Sequence, residues 1–471
     1  MANSDEGKWL RKATLCEQIY ELGHQNGVYL THYTLDLESK MPITEDIMRQ
    51  ALVHLYRKVP VLRLCLRERD SELWIREMDD CVLDLEIIDE GDVEMERNKM
   101  TLHTYNAFDG PLWCVRLVSQ TKGSTGLSQS RGEGKDFTFN YSVIFGIHHS
   151  VSDGSTNVKI CNLLRFILDS IMIGDAIDDD VQLGEITDDK EMCALLDREM
   201  AKLKNDPDLC SKIKRELAEG SSVRPLIRHI CRIPSDTVIM SRNVTLTVDS
   251  ATTNMFLKKA RSEGVTLHSA ITGVINVSLL DLIKEAGIHH DEYVFRAGHD
   301  IDVRRYFVND ASHMLGIYGP VFGYRYSFVV PKDLLSTFWD NVRRFHQHFK
   351  IDVAEGAVLT TSAYRLMTED FQASLKDLFR TAGEPNYYYT ISNMGNLSGS
   401  LSEEAGRVVT IGKLTRFSSI RNGISFMCIY IHTFRDQLNI SFSYSTKFLS
   451  HDFVQKLADL VKEHMDTVCT L

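Results

Sequence analysis

Apolar residues recur near helical spacing over 45–58 (EDIMRQALVHLYRK) and predict a helix that stops before Pro60. Short strand-like runs follow at 61–66, 72–77, 83–88 and 112–118. The stretch 119–136 has no periodicity and is rich in Gly, Ser and charge, which reads as a surface loop. The clearest strand is 137–147 (FTFNYSVIFGI), where Phe137, Phe139, Tyr141, Val143, Phe145 and Ile147 alternate with smaller or polar residues. A helix over 155–172 follows directly. From 174 to 234 the chain turns acidic and polar, with helical spacing at 190–204 and 209–219. The second half opens with a strand at 242–248 and helices over 250–264 and 266–287. Strands at 292–303 and 317–329 lead into helices at 333–350 and 364–380. The chain ends with strands at 386–394, 409–418, 424–434 and 437–445 and a helix over 450–467.

Strands mixed with helices in both halves predict two α/β sandwich lobes, 1–175 and 236–471, joined by an acidic crossover at 176–235. A length of 471 residues agrees, because one core rarely grows past about 250–300 residues. The formal charge of −12 argues against nucleic-acid binding, which calls for a basic surplus. No run of about 18 apolar residues suggests a membrane span. The opening MANSDEGKWL lacks the pattern of a signal peptide. Ten scattered cysteines form no C-x-x-C pair, so reduced thiols in a cytoplasmic setting are expected, without a zinc site or a cofactor.

The candidate chemistry sits between the strand at 137–147 and the helix after it: His148-His149-Ser150-Val151-Ser152-Asp153-Gly154. Extending the strand parity puts His149 on the buried face and His148 opposite. A neutral imidazole, with an ordinary pKa near 6.5, suits general-base work. Asp153 stands where a helix N-cap is expected, and Gly154 permits close backbone approach. His289-His290-Asp291 reads as a solvated loop, and His346 and His348 do not share a helix face, so neither pair predicts a metal site.

The H-H-x-x-x-D-G motif in this context resembles the CoA-dependent acyltransferase superfamily. That group includes chloramphenicol acetyltransferase, alcohol acetyltransferases, polyketide-associated acyltransferases and condensation domains. Further likenesses are Phe108-Asp109-Gly110-Pro111-Leu112-Trp113, the segment 262–270 (SEGVTLHSA), Asp302-Val303-Arg304, Leu315-Gly316-Ile317-Tyr318-Gly319 and Ser392-Asn393-Met394-Gly395. The plant-type D-F-G-W-G signature is absent, so the alcohol acetyltransferase and polyketide-associated branch fits better.

The resemblance implies chloramphenicol-acetyltransferase-like lobes with a tunnel at their interface. It assigns His149 as the base and His148 and Gly154 as structural. It pairs Asp153, the other motif position tied to catalysis, with an arginine, for which Arg304 is the candidate. Ser392 and Asn393 are candidates for oxyanion donors, a tie between lobes, or a plain strand-ending turn. Lys413, Arg416 and Arg421 are candidates for binding CoA phosphates, or an ordinary solvated strand edge. The expected activity is transfer of an acyl group from acyl-CoA, as co-substrate, to a small alcohol without a covalent acyl-enzyme. Alternatives are an amine acceptor, a carrier-bound donor, and a catalytically inactive ligand-binding relative.

Overall fold

The computed structural model describes residues 9–120, 137–186, 188–319, 323–368, 385–423 and 425–471. The chain divides into two units. The first comprises Met1–Asp189, Asn309–Tyr318 and Asn396–Ser419; the second comprises Lys190–Val308, Gly319–Gly395 and Ile420–Leu471. The expected crossover is therefore not a bare linker. Its helices Lys190–Asn205 and Pro207–Ser222 belong to the second unit, while 309–318 and 396–419 join the first.

A five-stranded sheet forms the centre of the first unit, in the order Val409–Ile420, Val28–Ser39, Phe139–His148, Trp113–Gln120, Leu85–Ile88. The motif strand, Phe139–His148, lies in the middle and is antiparallel to both neighbours. Leu30 stands opposite His148 on one side and Trp113 opposite Ile147 on the other. A central strand with layers on both faces has no solvent side, and Tyr141 to His148 are all buried. The alternation was thus a poor guide to which face is covered. The strand also ends at His148, so His149 belongs to the turn beyond it and the parity extension does not reach it.

The motif helix, Gly154–Ile173, buries Val158, Cys161, Leu164, Ile167 and Leu168 at helical spacing, and Gly174 ends it in the left-handed conformation at φ +78°. The helix Glu45–Lys58 forms where its pattern placed it, with Thr44 capping Ile47 N–H at 3.3 Å. Helix Val93–Met100 and a helix near the N-terminus were not expected. This N-terminal helix, Leu15–Gln25, opens with a capping box in which Thr14 and Glu17 satisfy each other's backbone N–H groups. Its buried face carries Glu17, Glu21 and His24 beside Cys16 and Ile19, so the hydrophobic rhythm is broken by polar residues.

The second unit holds a six-stranded sheet in the order Tyr324–Pro331, Glu292–His299, Tyr389–Asn396, Met427–Phe434, Gln437–Ser445, Ser241–Val248. Helices Ser250–Ser262, Leu267–Glu285, Phe338–Ala354 and His451–Cys469 pack with it around one apolar core. Leu267–Glu285 is long and apolar enough to cross a membrane, yet 78% of its apolar window is buried in the protein, as befits a core helix. The strand expected over 292–303 ends at His299, because Asp302 caps a 3₁₀ turn at Val303–Tyr306. Most of the helix expected at 364–380 and of the loop at 119–136 lies outside the described residues.

Candidate active site

The turn after the motif strand is tied down atom by atom. His149 is half-buried, and its Nδ1 lies 2.6 Å from the Ser152 carbonyl oxygen. A carbonyl can only accept, so Nδ1 carries the proton and the Nε2 lone pair is left as the basic position. The ring packs on Tyr20 of the N-terminal helix, with centroids 4.4 Å apart. Burial pushes the His149 imidazole down to about 4, and the Arg416 guanidinium pushes the same way. The Ser152 carbonyl opposes both by stabilising the imidazolium.

His148 has a different environment. It is fully buried, and its Nδ1 accepts from Ser150 N–H at 3.1 Å, so the proton sits on Nε2. That nitrogen is 3.0 Å from a Glu21 carboxylate oxygen. Burial works against the Glu21 charge, but His148, Gln25 and His24 together hold its carboxyl below the usual range. The His24 ring lies 4.5 Å from that of His148, and its Nε2 accepts from Tyr105 N–H at 3.1 Å. Glu21 and His24 are three apart on one helix and close over the back of the motif. Sequence reasoning missed Tyr20, Glu21 and His24. The only signal was a pair of ionisable residues at helical spacing inside a capping-box helix.

Asp153 caps the motif helix: its Oδ1 accepts from Thr156 N–H at 2.9 Å. Its Oδ2 accepts from Tyr318 N–H at 3.2 Å, and Thr156 Oγ1 lies 3.2 Å from both the N and the O of Gly316. The Leu315-Gly316-Ile317-Tyr318 segment is thus bound to the motif turn, and Met314–Leu315 pairs in parallel with Glu185–Ile186. Gly154 is the first residue of the helix. The turn borders a small cleft whose walls include Val151, Tyr318, Arg11, Glu17, Asp188 and Asp189. Those walls carry more acid than base, which disfavours a phosphate there.

Arg304, in the second unit, bonds Asp302 at 3.1 Å with its side chain and again with its backbone N–H. Ser392 and Asn393 also belong to the second unit, where the Asn393 side-chain oxygen accepts from Gly395 N–H at 2.8 Å in a local turn. Lys413 and Arg416, both in the first unit, do not share one solvent-facing surface. Lys413 and Arg416 are three apart on one strand and point to opposite faces. Arg416 is buried with its guanidinium 5.8 Å from the Tyr33 ring, and Arg421 lies in the second unit. Asp84, His103 and Cys114 place three metal-ligand types within 4.8 Å of one another. Arg116 already bonds Asp84 at 2.7 Å, and burial pushes the Cys114 thiol up to about 12, so the group is a poor cation site.

No protein-family model matches the sequence, and no curated protein matches it. Solved structures do match in three dimensions. Trichothecene 15-O-acetyltransferase TRI3 from Fusarium sporotrichioides is similar at a TM-score of 0.70 and 14% identity, covering 99% of this chain and 96% of that one. Polyketide synthase associated protein 5 from Mycobacterium tuberculosis gives 0.62 and 13%, with 98% of each chain covered. A mutant starter condensation domain of rhizomide synthetase RzmA, in complex with C8-CoA and Leu-SNAC, gives 0.58 and 12%, covering 98% and 95%. This chain has the fold of these acetyltransferase, polyketide-associated and condensation-domain structures. Within that fold the histidine motif stands at the end of the central strand of the first unit's largest sheet, braced from behind by the N-terminal helix.

Proposed function

We propose that this protein is an acyltransferase in which His149 is the general base for an alcohol attacking an acyl-CoA thioester. The observation that carries the reading is the Nδ1 contact to the Ser152 carbonyl, which leaves Nε2 as the ring's proton acceptor. A ring held near 4 is neutral at physiological pH, so the base stands in its working form. Nε2 takes the hydroxyl proton as the hydroxyl oxygen bonds to the thioester carbonyl carbon. The carbon–sulfur bond then breaks, and the imidazolium returns the proton to the leaving thiolate. The products are an ester and free CoA thiol, and no acyl-enzyme forms. The carbonyl oxygen gains charge on the way and needs hydrogen-bond donors aimed at it. The fold neighbours support the chemistry: one is named as an O-acetyltransferase and another was solved with C8-CoA.

The test is thiol release from a panel of acyl-CoAs, acetyl to palmitoyl, with alcohol and with amine acceptors. Alcohol-dependent release is expected, falling about 10²–10⁴-fold in His149→Ala, the range for losing a general base. Turnover with amines alone would move the acceptor class, and turnover with an acyl carrier protein alone would move the donor. No release from any donor would leave a ligand-binding protein, and undiminished release in His149→Ala would remove His149 as the base.

A further inference from the structure

In the second unit, two arginines crowd one aromatic ring with no acid among the described residues to balance them. The Arg296 guanidinium carbon lies 4.3 Å from the centroid of the Tyr387 ring, and the Arg325 guanidinium carbon lies 4.3 Å from the same centroid. Their strands are adjacent: Arg325 stands opposite Gly298, two residues from Arg296, so both side chains leave the same face of the sheet. Arg296 is 3% exposed, and its Nη1 is buried without a hydrogen-bond partner. The Nε of half-buried Arg325 is likewise buried and unpartnered. Among the described residues neither guanidinium has a carboxylate in ion-pair range. Burial pulls Arg296 below its ordinary range, and Arg325 and Arg365 repel it further, with Tyr387 opposing. Helix Pro207–Ser222 closes over the group, because a Cβ at Gly220 would come within 2.9 Å of Arg296 Nη2.

A ring face offsets part of the cost of a desolvated cation. It leaves the guanidinium N–H groups unused, and buried donors without acceptors are expensive. Two planar forks of like charge, stacked on one ring with N–H groups to spare, suit a doubly charged oxyanion that accepts from both. A single carboxylate would neutralise only one of them. We propose that Arg296, Arg325 and Tyr387 form a binding site for a phosphate group. This inference is independent of the acyl-transfer reading.

The experiment measures thermal unfolding of the full chain in inorganic phosphate against chloride at matched ionic strength, so that screening cancels. A saturable rise in Tm with phosphate is expected. Arg325→Gln should weaken the apparent phosphate affinity about tenfold or more, the price of losing one charged fork. Arg325→Lys keeps the charge but loses the fork and should fall between the two. It also serves if Arg325→Gln fails to fold. Parallel titrations with CoA and 3′-dephospho-CoA separate the sources. A response to CoA that needs the 3′-phosphate and Arg325 assigns the phosphate to the nucleotide, and equal responses to free phosphate and both nucleotides assign it to the free anion. No saturable response, or the same response in wild type and Arg325→Gln, overturns the site and leaves the arginines held by the Tyr387 ring alone.

Discussion

An imidazole shifted to about 4 is a weak base, so the His149 site trades basicity for readiness. The ring is almost wholly unprotonated at neutral pH, and the Ser152 carbonyl stabilises the cation as it forms. Arg416 is a movable part of this balance, because its charge disfavours a second positive charge nearby. A group depressed in this way loses its working form only as pH falls through the depressed value. In initial rates taken immediately after a pH jump, the acid limb is therefore expected near pH 4 and not near 6.5. Arg416→Met should move it upward, and an unmoved limb in that variant would show that the guanidinium does not act on the ring. The same scale marks how much of the site was legible. The spacing of two histidines, an aspartate and a glycine pointed to His149. Nothing in the strand parity could, because both faces of that strand are buried and the residue lies past its end. Glu21 was invisible because its role depends on the N-terminal helix lying behind His148, a long-range packing fact. Glu21→Gln keeps the shape and removes the charge, and should lower kcat with little change in KM. Glu21→Ala should also destabilise the fold, since the His148 N–H is buried at 0% exposure with no other partner.

At the scale of elements, the motif strand, motif helix and Glu45–Lys58 all formed close to where their periodicity put them. The N-terminal helix did not announce itself, because it buries carboxylates and a histidine to serve the site and so breaks its own apolar stripe. The segment at 314–318 was unreadable for another reason: its partner is a motif about 160 residues earlier. Asp153 joins the two. It caps the motif helix and holds Tyr318 N–H, so it acts within the first unit whatever its relation to Arg304. A lost cap is worth about 0.5–2 kcal/mol, and a hydrogen bond to a charged acceptor about 1.5–3 kcal/mol. Asp153→Ala should therefore cost about 2–4 kcal/mol in urea unfolding, within the range those two terms allow. Asp153→Asn retains one acceptor for the cap and should cost roughly half as much. Equal losses in the two variants would mean that the carboxylate charge, and not the two hydrogen bonds, is what the fold needs.

For the whole molecule, the burial that prepares His149 recurs at other histidines. His24 and His268 are pushed down to about 4 and His32 to about 3, with burial the first cause in each. His299, fully buried beside His268 at 2.9 Å, lies well below its ordinary value. These rings stay neutral in the folded chain, while the unfolded chain protonates them below about 6.5. Stability is therefore full above that value and falls as pH drops, because the unfolded state binds more protons. Each such ring contributes up to about 1.4 kcal/mol per pH unit between the two values. Stability is thus expected to decline from about pH 6.5 downward, ahead of the acid limb of the His149 reaction. Steady-state activity should fall at the unfolding midpoint, identically for wild type and Arg416→Met. Initial rates taken immediately after a pH jump should persist to about pH 4 in wild type alone. His32 offers the control. It is stacked on Phe417 at 4.8 Å with both ring nitrogens buried and unpartnered, so His32→Phe should leave stability at pH 7.5 nearly unchanged. The same variant should flatten the acid slope by about one proton. An undiminished slope in His32→Phe would place the acid sensitivity elsewhere.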